Sequence, residues 1–250
     1  MYSVVIIAKN ESRIIGKTIE AWQKVSSDII IVVDHPEDGT DEIATGLGCR
    51  VFQHAWEGYG ANKNFGNAQA KFEWILCPDA DEIPDEKLLQ SISTLQPVEG
   101  KAYAMNMLNY LVNSPVYHSG WHPQYKIKLF NRNDMKWNDA AVHEKLISTS
   151  PVQKIKLSGL LHHYSYVNLE HYQQKLDQYA RLRAEEWHHR SNVPFFLKRF
   201  YGPVFRFFRT YILKKGFLDG KTGWYIACSE YRYKQKEWHY FDQYSKGVAL

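Results

Sequence analysis

In the stretch EWILCPDADE, Glu73 to Glu82, a short apolar run ends abruptly in Asp79, Asp81 and Glu82. Side chains alternate along an extended chain, so Asp79 and Asp81 are expected to point the same way, about 7 Å apart, and to face one cation or its ligand. Oxygen donors suit Mg2+ or Mn2+, and Mg2+ is typically held by one or two carboxylates plus substrate phosphates. The cluster therefore reads as half of a metal site that a diphosphate would complete. The alternative is a solvated acidic turn leading into a helix near Pro84, where carboxylates favour the positive helix end. Asp85 and Glu86 fit that alternative.

The elements that must position these carboxylates follow from hydrophobic periodicity. Tyr2 to Ala8 is a β-branched run of strand length, ended by Lys9, Asn10 and Glu11. Ile14, Ile15, Ile19, Trp22 and Val25 recur at helical spacing, and Asp28 to Asp34 repeats the strand pattern. A short helix over Asp41 to Leu47 and a strand over Arg50 to Gln53 follow. Such β-α-β-α-β alternation predicts a parallel sheet covered by helices, with ligands outside the carboxyl ends of the strands. Asn10, Glu11, Asp34 and the acidic cluster all fall at such ends. Between them lies GYGANKNFGNA, where Gly58, Gly60 and Gly66 permit close backbone approach and Lys63 offers a charge for phosphate. It is neither a Walker loop nor a G-x-G-x-x-G fingerprint, which disfavours kinase and dehydrogenase readings.

Downstream, a helix over Asp85 to Leu95 and strands over Ala102 to Leu111 and Lys126 to Phe130 are predicted. A helix over Leu169 to His188 would present Leu169, Tyr172, Leu176, Tyr179 and Leu182 on one face. The 250 residues include 8 Trp, 17 Tyr and 12 Phe, an aromatic share that suits stacking surfaces or a membrane interface as well as a core. A net charge of +4 favours anionic partners without implying nucleic acid. Cys49, Cys77 and Cys228 are scattered, which predicts thiols in a reducing compartment and no disulfide frame. No apolar run reaches the roughly 18 residues of a membrane span, and the N-terminus lacks a basic lead and cleavage site. A cytoplasmic, non-spanning protein is expected.

SVVIIAKNE, IIIVVDHPEDGTDEIA, GYGANKNFGNA and EWILCPDADE, in this order and spacing, resemble the nucleotide-sugar-binding half of family 2 inverting glycosyltransferases with the GT-A fold. YKIKLFNR, AAVHEKL, LLHHYSYVNLEHYQQKLDQYA and YILKKGFLDGKTGW extend the likeness to the lipopolysaccharide-core β-glucosyltransferase subgroup. One departure is the turn His35 to Asp38, HPED, where the family has a Ser-rich turn. The resemblance implies an α/β GT-A fold: a mostly parallel central sheet flanked by helices, plus a helical aromatic and basic C-terminal extension. It implies a nucleotide-sugar-binding half over 1–100, an acceptor-binding half over 101–190 and the extension over 191–250.

The resemblance also implies roles. Asp34 would accept hydrogen bonds from the nucleotide base, with Asn10 and Glu11 beside the donor. Lys63 would support base or phosphates, and Asp79 would lie by ribose and metal. Asp81, with Asp79 and His163, would hold a divalent cation, Mg2+ or Mn2+, on the diphosphate; His162 is the neighbouring candidate. Glu144 would be the general base on the acceptor hydroxyl, with Asp139 in reserve and His143 orienting the acceptor or contacting phosphate. Trp121 and Arg132 would line the acceptor side. Inverting transfer of a hexose from a nucleotide sugar, glucose from UDP-glucose foremost with UDP-galactose or another donor open, to a lipopolysaccharide-core or other glycan is the expected activity. A metal-dependent phosphohydrolase and a non-catalytic membrane-surface adaptor are the alternatives. The phosphohydrolase loses ground because Ile83 stands where its nucleophile motif needs Thr.

Phe195 to Gly216 contains six Lys or Arg and no acid. Wound at about 100° per residue, it gathers Lys198, Arg199, Arg206 and Arg209 on one arc among aromatic and aliphatic residues. That pattern predicts an interfacial helix, broken or kinked at Gly202 and Pro203, that pairs its charges with anionic lipid on the inner membrane face and serves a lipid-linked acceptor.

Overall fold

A computed structural model describes residues 1–138, 144–148, 150–189 and 198–246, with the side chains of 189 and 198 excepted. In chain order the elements begin with β1 (Ser3–Ala8), α1 (Ile15–Gln23), β2 (Asp28–Val33), α2 (Thr40–Gly46), β3 (Arg50–Gln53) and α3 (Tyr59–Gln69). Next come β4 (Trp74–Leu76), β5 (Glu82–Pro84), α4 (Glu86–Ser93), β6 (Lys101–Leu111), β7 (Ser114–Pro115) and β8 (Gln124–Asn131). β9 (Met135–Trp137), β10 (Leu146–Ser148), β11 (Gln153–His163), α5 (Leu169–His189), α6 (Lys198–Phe208) and α7 (Gly220–Ser245) complete the set. The chain forms two compact units, Met1–Met107 with Gln124–His163, and Leu108–Pro123 with Tyr164–Leu250. The first unit draws its sheet from both sides of the 108–123 segment.

In the first unit the sheet order is β3-β2-β1-β4-β8-β6-β11-β5. β3, β2, β1 and β4 pair in parallel, and β8 turns the rest antiparallel by pairing with both β4 and β6. The sheet is thus mixed. All six residues of β2 are buried, as a strand covered on both faces requires. Side-chain alternation divides the core in two. Val4, Ile6, Ile29 and Ile31 face α1 and α4 through Ile15, Ile19, Trp22, Leu88 and Ile92. Val5, Ile30 and Val32 face the opposite layer with Phe130 and Trp137.

The glycine-rich segment is helix α3, and its glycines serve close packing. A Cβ on Gly66 would sit 2.5 Å from Val5 and 2.9 Å from Val32; one on Gly60 would sit 2.0 Å from the carbonyl oxygen of Asn138. α3 can therefore lie directly on β1 and β2 and pass under the end of β9. Asp85 caps α4, its carboxylate accepting from the Leu88 amide at 2.7 Å, as expected for an acid at a helix start. α2 differs: Gly39 occupies the cap position without a side-chain bond, and Asp38 accepts from the Thr40 amide and hydroxyl instead.

In the second unit, α5 buries Tyr172, Ala180, Ala184 and Trp187, whereas Leu169, Tyr179 and Leu182 are exposed. The predicted stripe is displaced because the alanines let α7 approach, and polar partners hold it there. Gln173 bonds Ser229 at 2.8 Å, and Asp177 accepts from Lys236 and from the Tyr240 hydroxyl. α6 runs unbroken through Gly202 and Pro203 and ends in a π-helical turn, Arg209–Leu213. A 3-10 turn, Gly216–Asp219, leads into α7. No helix among the described residues is long and apolar enough to cross a membrane.

Candidate functional site

The site lies at the carboxyl ends of β1, β2 and β4 in the first unit. Asn10 adopts φ 57° and accepts from the Glu37 amide at 2.9 Å, while the Glu11 amide donates to Thr40 Oγ1 at 2.8 Å. These bonds stitch the loops after β1 and β2 together. Lys9 Nζ reaches Asp34 Oδ2 at 2.8 Å, and that bond holds the Asp34 carboxyl below the usual carboxylate range. At Asp38 burial raises the pKa, but hydrogen bonds from Thr40 and Ser12 outweigh it and bring the group down to about 2.

The acidic run is not extended. The Glu82 amide donates to the Asp79 carbonyl at 3.1 Å, which closes a turn, and Glu82 Oε2 accepts from the Asp79 amide at 2.8 Å. The turn brings together Asp79 and Glu82, three positions apart, in place of the expected pair Asp79 and Asp81. α1 holds it from below: Thr18 donates to the Ala80 carbonyl at 2.7 Å, and the buried Trp22 indole donates to the Glu82 carbonyl at 3.1 Å. Asp81 meets His163 Nε2 at 3.5 Å. That contact exists because β11 pairs antiparallel with β5, His163 opposite Glu82.

Two buried lysines bridge the carboxylates. Lys128 Nζ lies 3.1 Å from Asp79 Oδ2 and 2.7 Å from Glu82 Oε2. Lys63 Nζ lies 3.1 Å from Asp79 Oδ1 and 3.1 Å from Glu144 Oε1, with its ammonium 4.6 Å from the centre of the Trp137 ring. Both lysine side chains are only 4% exposed. Burial works against their charge, but the neighbouring carboxylates prevail and both pKa values are raised. Asp79 is likewise driven well below the usual range: burial opposes ionisation, and Lys128 and Lys63 overcome it. Glu82 goes the other way, raised by burial and by the Asp79 charge despite Lys128.

Glu144 is carried in by a short chain of local causes. Asn64 of α3 clamps Trp137, its amide donating to the carbonyl at 2.8 Å and its oxygen accepting from the amide at 3.0 Å. Asn138 then exchanges bonds with Lys145, backbone amide to carbonyl at 3.0 Å and Lys145 amide to Asn138 Oδ1 at 2.8 Å. Glu144 is thereby held over Lys63.

One ligand atom each from Asp79, Glu82 and His163 lie within 4.8 Å of one another, and Glu82 Oε1 is buried with no hydrogen-bond partner. An orphaned buried carboxylate oxygen beside a second carboxylate and an imidazole fits a divalent cation. Among the described residues this set contains Glu82 where Asp81 was expected.

Lys63, Asp79, Glu144, Asp81 and His163 are thus brought together, and Asn10, Glu11 and Asp34 form the adjoining strand-end group. Arg132 is not among them. Its guanidinium donates to the carbonyls of Asn67 and Ala70 at 2.8 and 2.9 Å, and its amide bonds Glu73, before β4 begins. It therefore closes the end of α3 at the opposite edge of the sheet. Trp121 packs with Tyr166 and Tyr172 in a core cluster of the second unit. His143 and Asp139 lie outside the described residues. Lys128 was missed as a site residue, and Glu82 was placed in the acidic cluster without a ligand role of its own. Lys128 stands in a strand just before buried Leu129 and Phe130, a position where a lysine demands a buried acid. The pairing of Glu82 with Asp79 was not legible, because period-2 alternation hides an i, i+3 pair.

Comparison with known proteins bears on this constellation. The lipopolysaccharide core biosynthesis glycosyltransferase LpsC of Rhizobium meliloti (strain 1021) is 25% identical over 236 residues, covering 88% of this chain and 87% of that protein. The uncharacterized glycosyltransferase RT0209 of Rickettsia typhi is 25% identical over 198 residues, 74% of this chain and 67% of its own. Among solved structures, glucosyl-3-phosphoglycerate synthase from Mycobacterium tuberculosis, in complex with Mn2+, UDP and glucosyl-3-phosphoglycerate, superposes with a TM-score of 0.36 at 20% identity. That likeness covers 44% of each chain. The profile of glycosyl transferase family 2 matches residues 3–155, a span that takes in Lys63, Asp79, Glu82, Lys128 and Glu144. With more than half of its length under that profile, and the buried cluster inside the match, the chain belongs to glycosyl transferase family 2.

Proposed function

We propose that this glycosyltransferase moves glucose, with inversion, from UDP-glucose to a lipid-linked glycan of the lipopolysaccharide-core type at a membrane surface. The observation that carries the reading is Lys63, a buried ammonium 3.1 Å from both Asp79 and Glu144. It joins a carboxylate suited to the donor with one suited to the acceptor, although the two are remote in sequence. The role named for LpsC, lipopolysaccharide core biosynthesis, supports the acceptor class.

In this reading Asp34 accepts hydrogen bonds from the base, and Asn10 and Glu11 shape the donor's side of the cleft. Lys63 turns its charge to the diphosphate, while Lys128 keeps Asp79 and Glu82 together. Asp79, Glu82 and His163 would hold Mg2+ or Mn2+, with Asp81 orienting His163. Such a cation, when bound, neutralises charge developing on the leaving nucleoside diphosphate. Glu144 takes the proton of the acceptor hydroxyl as that oxygen bonds the anomeric carbon. The bond from that carbon to the phosphate oxygen breaks with its electron pair, and the nucleoside diphosphate departs from the opposite face. His143 is proposed beside Glu144 on the acceptor. A phosphohydrolase would have no use for Lys63 between two carboxylates, and an adaptor none for the buried cluster.

The test is nucleoside diphosphate release from a panel of nucleotide sugars, with Mn2+ and with chelator, in the presence of a core glycan. Release fastest from UDP-glucose and dependent on the cation is expected. Absence of binding by every nucleotide sugar would overturn the reading.

A further inference from the structure

The basic arc expected over Lys198, Arg199, Arg206 and Arg209 is divided by the fold. Arg199 makes two bonds to Asp242, at 3.0 and 2.6 Å, and Arg206 Nε bonds Glu230 at 2.7 Å, so both face α7. Gly202, Pro203 and Thr210 are buried on that same side. Positions 199, 202, 203, 206 and 210 thus form the inner stripe. The outer stripe, two residues displaced and so on the opposite face at about 100° per residue, is Tyr201, Val204, Phe205, Phe208 and Ile212, which are 42 to 59% exposed. Ordinary packing would bury the aromatics and expose the arginines; here the arrangement is reversed.

The apolar surface continues past the helix. Leu213, Leu218 and Trp224 are each more than half exposed. Trp224 is buttressed edge-on by Phe207 and Tyr211 at 5.2 and 5.3 Å. Its rim is cationic. Arg209, Lys214, Lys215 and Lys221 are exposed and form no ion pair among the described residues. From 198 to 218 there is no Asp or Glu, and Asp219 is turned inward onto the amides of Tyr117 and His118 and the Ser119 hydroxyl. A set of ordered aromatics edged only by positive charge is complementary to an anionic lipid surface: rings enter the headgroup–acyl boundary, and ammonium groups meet phosphates.

We propose that the outer face of α6 and the two turns after it insert into anionic membrane, with Phe205, Phe208, Leu213 and Trp224 in the boundary and Lys214, Lys215 and Lys221 on headgroups. It deepens the membrane-surface part of the proposed function and rests on that reading for its purpose. Arg199 and Arg206, by contrast, hold α6 to α7 and are not lipid ligands.

Flotation of the full chain with vesicles of phosphatidylcholine alone, and of phosphatidylcholine with phosphatidylglycerol at about two to one, tests this. The wild-type chain should float with the anionic vesicles and retain part of that binding in about 0.5 M salt, since aromatic insertion is not screened. Phe205→Ser with Phe208→Ser should lower binding to both vesicle types at least about tenfold. Lys214→Glu with Lys215→Glu should remove only the anionic preference. Calorimetric binding of UDP with Mn2+, run on every variant, reports an intact first unit, and circular dichroism reports the helices. A wild-type chain that stays in solution with both vesicles, or serine variants that float like wild type, overturns the proposal. So does sedimentation showing that the same face dimerises the chain. Flotation without any UDP binding would instead remove the donor reading and leave the membrane face standing.

Discussion

Two buried acid–base clusters sit at opposite ends of the same parallel strands, and they are built differently. At the amino end of β2, Asp28 is 1% exposed and fully satisfied: Ser3 Oγ at 2.6 Å, the Lys71 amide at 2.9 Å and Arg50 Nη1 at 3.0 Å all donate to it. Burial opposes its charge, the hydrogen bonds from Ser3, Lys71 and Arg50 win, and its pKa is lowered. At the carboxyl end Glu82 is fully buried, yet Oε1 has no partner and the pKa is raised. A closed cluster holds the sheet edge together. An open one retains bonding capacity that a ligand can use, and it lies at the carboxyl ends of the parallel strands, where open α/β sheets bind ligands.

The sharpest test of that difference is Glu144→Gln. If the carboxyl-end cluster does chemistry, turnover should fall about 10³-fold, roughly 4 kcal/mol in barrier, with UDP affinity nearly unchanged. Equal loss of donor affinity would show that Glu144 holds donor and would break the division of labour. Next in size is Asp28→Ala. It leaves Ser3, Arg50 and the Lys71 amide without their acceptor and should cost about 3 kcal/mol, a fall of about 10 °C in Tm, with UDP binding intact in the folded fraction. Denaturant unfolding and calorimetry measure both.

Glu82→Gln should behave oppositely. Burial and the Asp79 charge both disfavour ionised Glu82, so an isosteric amide should change stability by less than about 1 kcal/mol. Mn2+-supported UDP affinity should fall by at least about tenfold, because a charged ligand is gone. A stability loss matching that of Asp28→Ala would erase the contrast between the two ends.

The smallest signal is in pH. Asp28 and Asp38 have folded values below the unfolded carboxylate value of about 3.9, so their contribution is present above it and lost as pH falls through the folded values, about 2 for Asp38. Glu82, raised, has the reverse sign: its contribution is present at low pH and lost as pH rises through its folded value. Asp28→Asn should flatten the acid limb of the stability profile, while Glu82→Gln should flatten the opposing drift above it.

Much of this was legible in the residues. The β-branched runs of β1 and β2, the helical spacing of α1 and the strand-end positions of Asn10, Asp34 and Asp79 all follow from period and polarity, which are local. Glycines at 60 and 66 signalled close approach, although the element they permit is a helix on the sheet. On α5, Tyr172 and Leu176 were read correctly, but Ala180, Ala184 and Trp187 were passed over for Leu169, Tyr179 and Leu182, because leucines outscore alanines by hydrophobicity whereas α7 approaches where side chains are small.

Sequence alone determined the strand order of chemistry along the chain, and with it the family: which residue types end which strands is written in consecutive residues. Tertiary structure decided the partners. Lys128 and Glu82 meet because β8 runs antiparallel to β4, and Glu144 reaches Lys63 because Asn64 and Asn138 fold β9 back over α3. It also decided which way α6 turns. Helical period gave two stripes two residues apart, and the carboxylates of Glu230 and Asp242 on α7 drew the arginines inward and left the aromatic stripe outside. Periodicity defines faces, but only a packed neighbour chooses which of them is buried.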